Sequence, residues 1–250
     1  MILDSDAAKL SSLTVFFPAY NDAMSIPGLV RKTFDLISPL TSDFAVVVVN
    51  DGSSDQTGAV LEQLRKELGP RLDVITHPQN RGYGAALLSG FAAAQKEFVF
   101  YTDGDGQYDV GELPRLIDRI EPGVGLVNGY KVSRSDPRHR IWIGNLYNRF
   151  ARWMFRIRIR DIDCDFRLIR RSVLDNIRLD STSGTICLEL VKRIQMSGCG
   201  IREAPVSHYP RQHGRSQFFR LGPLWATFRE FVLLYIRLVV LRRSRNTTIA

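Results

Sequence analysis

Hydrophobic positions along the chain alternate between two periods. Leu13–Phe17 is a short apolar run and predicts a strand. Ile26–Ile37 carries apolar residues at helical spacing. Phe44–Val49 is a continuous, largely β-branched run, as in a strand buried on both faces. Ser54–Leu68 reads as a helix, Leu72–Thr76 as a strand and Tyr83–Ala94 as an Ala-rich helix. Phe98–Tyr101, Val110–Ile120 and Val124–Asn128 continue as strand, helix and strand. This alternation predicts an α/β fold, a Rossmann-like, mostly parallel sheet with right-handed crossovers and flanking helices. Phe166–Ile169 and Ile201–Val206 read as further strands, Gly184–Gln195 and Leu221–Leu241 as further helices. No internal repeat, low-complexity tract or Gly/Ser/Pro-rich linker interrupts the chain.

The polar residues cluster where such a sheet binds ligands, beyond the carboxyl ends of its strands. Asn21 and Asp22 follow the first strand, Asn50 and Asp51 the second, Asp103 and Asp105 the fourth. Three acidic strand ends then converge on one crevice. In Asp103-Gly104-Asp105 the two carboxylates share one side of an extended segment. Carboxylates without His or Cys prefer a hard cation, Mg2+ or Mn2+. Such an ion bridges carboxylates and a diphosphate. Ser54 or Asp55 is a candidate helix cap. Asp51 has no such structural use in the sequence, so Asp22 and Asp51 together suggest a nucleoside pocket.

Charge and composition sharpen the picture. Net charge is +8 and pI about 9.7, which suits an anionic partner. Residues 131–160 hold Lys131 and eight arginines against the lone acid Asp136. Cys164, Cys187 and Cys199 match no metal pattern and read as reduced thiols. Met1–Ser12 lacks the build of a signal peptide. No run reaches the roughly 18–20 apolar residues that span a bilayer, and Phe231–Leu241 is broken by Arg237. Ile143, Leu146, Phe150, Trp153 or Met154, and Ile157 repeat at helical spacing, with Arg149, Arg152 and Arg156 off that line. Leu221, Leu224, Trp225, Phe228, Phe231, Tyr235 and Leu238 repeat the theme. Amphipathic basic helices of this kind lie in the headgroup plane of a membrane. The same faces would also serve packing on the core or a homo-oligomer.

Pro18–Asp22, Asn50–Thr57, Asn80-Arg81-Gly82-Tyr83-Gly84 and Asp103–Gln107 occur in an order and spacing that resembles family-2 glycosyltransferases of the GT-A fold. Asp163-Cys164-Asp165-Phe166-Arg167 and His208–Gln217 are similar to the matching segments of polyprenyl-phosphate glycosyltransferases. The resemblance covers roughly residues 13–217. It implies an inverting transferase that moves a sugar from a UDP- or GDP-linked donor to a polyprenyl phosphate on the cytoplasmic face of a membrane. It implies a domain over 1–217, divided near 130 into nucleotide-binding and acceptor-binding halves, with a C-terminal amphipathic helix over 218–250.

Position by position, the resemblance implies that Pro18, Tyr20, Asp22 and Asp51 hold the nucleoside. Asp103, Asp105 and Gln107 would hold the metal and donor diphosphate. Arg134, Arg167, Arg211 and Ser216 would meet donor or acceptor phosphates. Asp163 and Asp165 join Asp105 as catalytic candidates. A sugar-hydroxyl acceptor needs a general base, and Asp163 or Asp165 would supply it. A phosphate acceptor, with a second pKa of about 6, is already an anion, and the aspartate would then orient groups.

Three positions depart from the family pattern. Asp22 replaces the usual Glu, Gly104 the usual Ala, and Asp165 the Gly of Gly-Phe-Arg. The last change bears on acceptor identity. A soluble or carbohydrate acceptor is the alternative within the family. A nucleotidyltransferase would need a Gly-rich, Arg-containing loop where Pro18–Asp22 stands. A basic nucleic-acid binder fits the charge but leaves the acidic strand ends without a purpose, so no nucleic-acid partner is expected.

Overall fold

The computed structural model describes residues 10–132, 138–211 and 221–241, with the side chains of 138–140 and 221–226 excepted. Seven strands form one sheet: β1 (Leu13–Ala19), β2 (Phe44–Asn50), β3 (Leu72–Thr76), β4 (Phe98–Thr102), β5 (Val124–Lys131), β6 (Phe166–Arg170) and β7 (Gly200–Val206). Their order is β3-β2-β1-β4-β6-β5-β7. The helices are α1 (Ile26–Ile37), α2 (Thr57–Leu68), α3 (Tyr83–Ala93), α4 (Leu113–Ile117), α5 (Arg138–Phe155), α6 (Arg171–Asp175), α7 (Ile186–Ser197) and α8 (Leu221–Tyr235). A π-helical turn, Ile236–Val240, continues α8.

The strand sequences explain a two-sided core. Every residue of β1 and β4 is buried. Alternate side chains point to opposite faces. Val15, Phe17, Val46, Val48 and Phe100 meet α1, α2 and α4 on one face. Phe16, Val47, Val49, Val99 and Tyr101 meet α3 and α7 on the other. Phe155, Phe231, Leu234 and Leu238 extend that second layer from α5, α8 and the turn after it. At Gly90, a Cβ would lie 2.3 Å from the Phe16 ring, so α3 approaches β1 closely only without a side chain there.

The sheet is parallel through β3, β2, β1 and β4, as the alternation predicts. β6 then enters antiparallel to both β4 and β5. Its start meets the end of β4, with Phe166 opposite Thr102. The residues just before β6 therefore reach the same sheet end as the residues just after β4. The helix expected over Val110–Ile120 is shorter, a 3-10 turn at Val110–Glu112 followed by α4. The helix expected from Ser54 begins at Thr57, because Asp55 Oδ1 accepts from Thr57 N at 2.9 Å.

The two apolar stripes divide differently. On α5, Ile143, Leu146, Phe150 and Trp153 are exposed, as is Trp142, while Ile157 is buried beyond the helix end. On α8 the expected outward positions Phe231 and Leu238 face the core, because Phe231 packs on Phe155 and Phe150. Phe228 of the same stripe does face solvent, joined by Val232, Leu233 and Ile236. No helix among the described residues is long and apolar enough to cross a membrane.

Candidate active site

The crevice lies at a topological switch point. β1 has β2 on one side and β4 on the other, the place where open α/β sheets take ligands. Beyond β1 the chain turns through Asn21, at φ 58. Asn tolerates that left-handed conformation. Its Oδ1 accepts from Ser54 N at 2.8 Å and Asp55 N at 3.3 Å, and its backbone N–H donates to Ser53 Oγ at 3.0 Å. Asn21 thus clips the loops after β1 and β2 together. Asp22 Oδ2 accepts from Tyr20 N at 2.9 Å, and Asp22 N donates to Thr57 Oγ1 at 3.0 Å. Pro18 is buried within β1, and its carbonyl accepts from Gly104 N at 3.2 Å. Tyr20 stands half-buried at the rim.

Asp51, expected in the nucleoside pocket, has a structural task among the loops. Its carboxylate is buried and already takes three donors: His77 Nδ1 at 2.6 Å, Arg81 N at 2.9 Å and Gly82 N at 2.9 Å. Buried carboxylates require such partners. Asp51 therefore anchors the loop between β3 and α3. Gly52 serves the same junction, at φ +67 with a virtual Cβ 2.3 Å from Gln79 C. The far nitrogen of His77 meets Ser89 Oγ at 2.8 Å.

Asp103, Asp105 and Asp165 form the acidic centre. Tyr83, the first residue of α3, donates its hydroxyl to Asp103 Oδ1 at 2.8 Å. Burial raises the Asp103 carboxyl well above the usual range, and Asp165 and Asp105 raise it further. Burial also raises Asp105, against the pull of Arg211, whose guanidinium pairs directly with it. Gln107 N donates to Asp105 Oδ1 at 3.0 Å. The Gln107 side chain, expected near the metal, donates instead to the Tyr209 carbonyl at 3.1 Å, while Tyr209 N returns a bond of 2.8 Å to the Gln107 carbonyl. Those two bonds bring Arg211 to the crevice. His208, two residues earlier, packs edge-on against Tyr108.

Asp165 is held by one oxygen. Its Oδ1 accepts from Cys187 Sγ at 2.9 Å and Arg167 Nη1 at 3.2 Å. Asp163 is half-buried; its carbonyl accepts from Lys131 Nζ at 2.6 Å and its amide donates to Asp161 at 3.2 Å. Arg167 is not the phosphate-facing cation expected. It is 0% exposed and donates to Asn128 Oδ1 at 2.7 Å, to the Tyr101 hydroxyl, to the Ile162 carbonyl and to Asp165. A guanidinium with all its edges used inside the fold is a structural pin. Arg134 and Ser216 lie outside the described residues.

Tyr83, His77 and Cys187 join the site beyond the residues that the sequence nominates. Tyr83 stands inside the Asn80–Gly84 motif. His77 and Cys187 carry no sequence signal, because their partners are distant in the chain.

Burial pushes Asp22 up to about 6 from 3.8, and the charge of Asp105 adds to the rise. Between those values the native state binds more protons than the unfolded chain. Stability from this group is thus present below pH 4 and is lost as pH rises through 6. Asp22→Asn keeps the acceptor for Tyr20 N and removes that loss. The variant should melt ~2–4 °C above the parent at pH 8, a gain of about 1 kcal/mol, converging with it near pH 4. Calorimetric melts across pH 4–8 read the difference.

Comparison with known proteins agrees with this geometry. The family model described as Glycosyl transferase family 2 matches residues 14–178. The undecaprenyl-phosphate 4-deoxy-4-formamido-L-arabinose transferase of Pseudomonas aeruginosa (strain LESB58) is 29% identical over 206 residues, 82% of this chain and 60% of that protein. The enzyme of the same name from Pseudomonas fluorescens (strain SBW25) is 27% identical over 210 residues. The chain thus spans about 60% of the length of these curated relatives. Among solved structures, glucosyl-3-phosphoglycerate synthase from Mycobacterium tuberculosis in complex with UDP superposes with a TM-score of 0.64 at 18% identity, over 92% of this chain and 81% of that one. A mannosyltransferase from Pyrobaculum calidifontis in complex with GDP-Man and Mn2+ gives 0.62 at 22% identity, over 84% and 60%. These likenesses establish the GT-A fold. With the family model covering the β1–β6 frame and every acidic strand end, the chain belongs to glycosyl transferase family 2.

Proposed function

We propose that this chain transfers a sugar from a UDP- or GDP-linked donor to a polyprenyl phosphate at a membrane surface, inverting the anomeric centre. One observation carries the reading: Asp103, Asp105 and Asp165 meet at the switch point with Arg211 paired to Asp105. The relatives named as undecaprenyl-phosphate transferases support the lipid acceptor.

The donor set fits Mg2+ or Mn2+. Burial, with the charge of Asp165 added, raises both Asp103 and Asp105, and their direct side-chain partners are one hydroxyl and one guanidinium. Among the described residues no three acidic, His or Cys side chains enclose an ion by themselves. Mg2+ commonly takes one or two carboxylates and completes its shell with substrate phosphates. Asp103 and Asp105 would hold the ion, which when bound offsets charge on the departing diphosphate.

The chain's own residues do the rest. Tyr20 and Asp22 line the nucleoside side, next to the Asn21 clip. Arg211 exchanges Asp105 for a donor phosphate. An oxygen of the acceptor phosphate attacks the anomeric carbon as the bond to the nucleoside diphosphate breaks. That oxygen is already anionic, so no proton needs removal. Asp165, fixed through Oδ1, orients sugar hydroxyls with its other oxygen.

The exposed faces of α5 and α8 suit the bilayer surface on which such an acceptor resides. Trp142 and Trp153 are 68% and 76% exposed, and Phe150 and Phe228 accompany them. Arg149, Arg156, Arg229 and Arg237 are exposed on the same helices or just beyond them. Apolar insertion with a basic flank favours anionic lipid.

Transfer of radiolabel from a panel of UDP- and GDP-sugars into extractable lipid, with undecaprenyl phosphate and Mg2+ or Mn2+, tests the reaction. The expected result is metal-dependent lipid label that falls at least ~100-fold in Asp105→Ala. Label only in water-soluble products would replace the lipid acceptor with a soluble one. Absence of both, from folded protein, would remove the reading. The membrane face has its own test. Partition into phosphatidylglycerol vesicles should weaken with salt, and the Trp142→Glu, Trp153→Glu double variant should lose ~10-fold or more. Equal partition of parent and variant would exclude this face.

A further inference from the structure

Glu230 lies on α8, distant in the chain from every residue of the crevice. Its carboxylate takes four hydrogen bonds from one short segment. Thr182 Oγ1 donates at 3.0 Å, Ser183 N at 3.1 Å, Ser183 Oγ at 2.7 Å and Thr185 Oγ1 at 2.8 Å. The other side of that segment rests on the start of α3. A Cβ at Gly84 would lie 2.4 Å from Thr182 C, and one at Gly82 would lie 3.2 Å from Thr182 O. Backbone meets backbone there, with no flexible side chain between. Gly82 N donates to Asp51, and the Tyr83 hydroxyl donates to Asp103. Each link from Glu230 to Asp103 is thus a direct hydrogen bond, a covalent step or a close backbone contact.

The inner face of α8 is packed by Phe231 and Leu234, while its outer face shows Phe228, Val232 and Leu233 to solvent. A helix with one face in the core and one outside has two influences on its seating. Glu230 is the polar group that joins this seating to the loop over α3.

We infer that Glu230 is a positioning residue for the donor site: it presses the 182–185 segment onto the start of α3 and so sets the Asp103 carboxylate through Tyr83. Seating of α8 and occupation of the donor site are then energetically linked, and linkage acts equally in both directions. The inference rests on the membrane-docking part of the proposed function only for what seats α8 in the cell.

The test is calorimetric titration of UDP and of GDP, with Mn2+, into the full chain, with and without phosphatidylglycerol vesicles. Without vesicles, Glu230→Ala should weaken nucleotide binding by ~10-fold at a temperature where it is fully folded. Vesicles should tighten binding several-fold in the parent and leave the variant unchanged, although both partition equally into the lipid. Glu230→Gln, which keeps one acceptor oxygen, should fall between them. Should Glu230→Ala not fold, Thr185→Val removes a single bond of the set and takes its place. A variant with a lowered melting temperature but parental nucleotide affinity would overturn the inference, since a merely structural role predicts that pairing. If the parent ignores vesicles, the membrane reading fails by itself, and the vesicle-free comparison still decides on Glu230.

Discussion

The crevice depends on a guanidinium that solvent does not reach. Arg167 joins Asn128 on β5, Tyr101 on β4, the Ile162 carbonyl and Asp165. An unpaired buried cation costs several kcal/mol, so the chain is held to the arrangement that satisfies all of its edges. That arrangement fixes the antiparallel entry of β6 between β4 and β5. It also delivers Asp165 to the sheet end where β4 already leaves Asp103 and Asp105. One residue therefore sets sheet register and site composition together. It also supplies positive charge beneath a group of carboxylates that would otherwise repel one another without compensation.

The remaining excess of negative charge is the functional resource. Asp103 and Asp105 are both raised by burial and by their neighbours. Tyr83 and Arg211 answer them from opposite directions in the chain, one from the start of α3 and the other from beyond β7. Arg211 arrives on a segment tied by two bonds to Gln107, so it is close enough to pair with Asp105 and exposed enough to leave it. In the proposed reading, a site arranged in this way takes a ligand that brings cation and anion together. A nucleoside diphosphate with a divalent metal has that chemistry.

Much of this was legible in the sequence because strand burial leaves a strong signature. The runs at Leu13–Phe17 and Phe44–Val49 are apolar without interruption, which is what a central parallel strand requires. Acidic residues after such runs are costly unless they serve a ligand, so Asp22, Asp103 and Asp105 stood out. Strand direction was not legible. Phe166–Ile169 reads as a strand either way, and only the Arg167 partners, scattered from Tyr101 to Ile162, settle its sense. The anchoring task of Asp51 is hidden for a related reason: His77 lies 26 residues on, and no local pattern links them. On α8 a helix apolar on several sides gives no single stripe, so the sequence could not tell Phe231, which packs on Phe155, from Phe228, which faces out.

The inner sides of α5 and α8 pack into the same hydrophobic cluster as Tyr101 on β4, since Phe155, Phe231 and Tyr101 belong to it together. If the two carboxylates form an incomplete cation site that the donor diphosphate completes, cation affinity depends on the nucleotide. Mn2+ binding, followed by electron paramagnetic resonance with and without UDP or GDP, tests it most directly. Weak Mn2+ binding to the protein alone is expected, tightening ~10-fold or more with the nucleotide and lost in Asp105→Asn. Tight Mn2+ binding without nucleotide, unaltered in that variant, would contradict it.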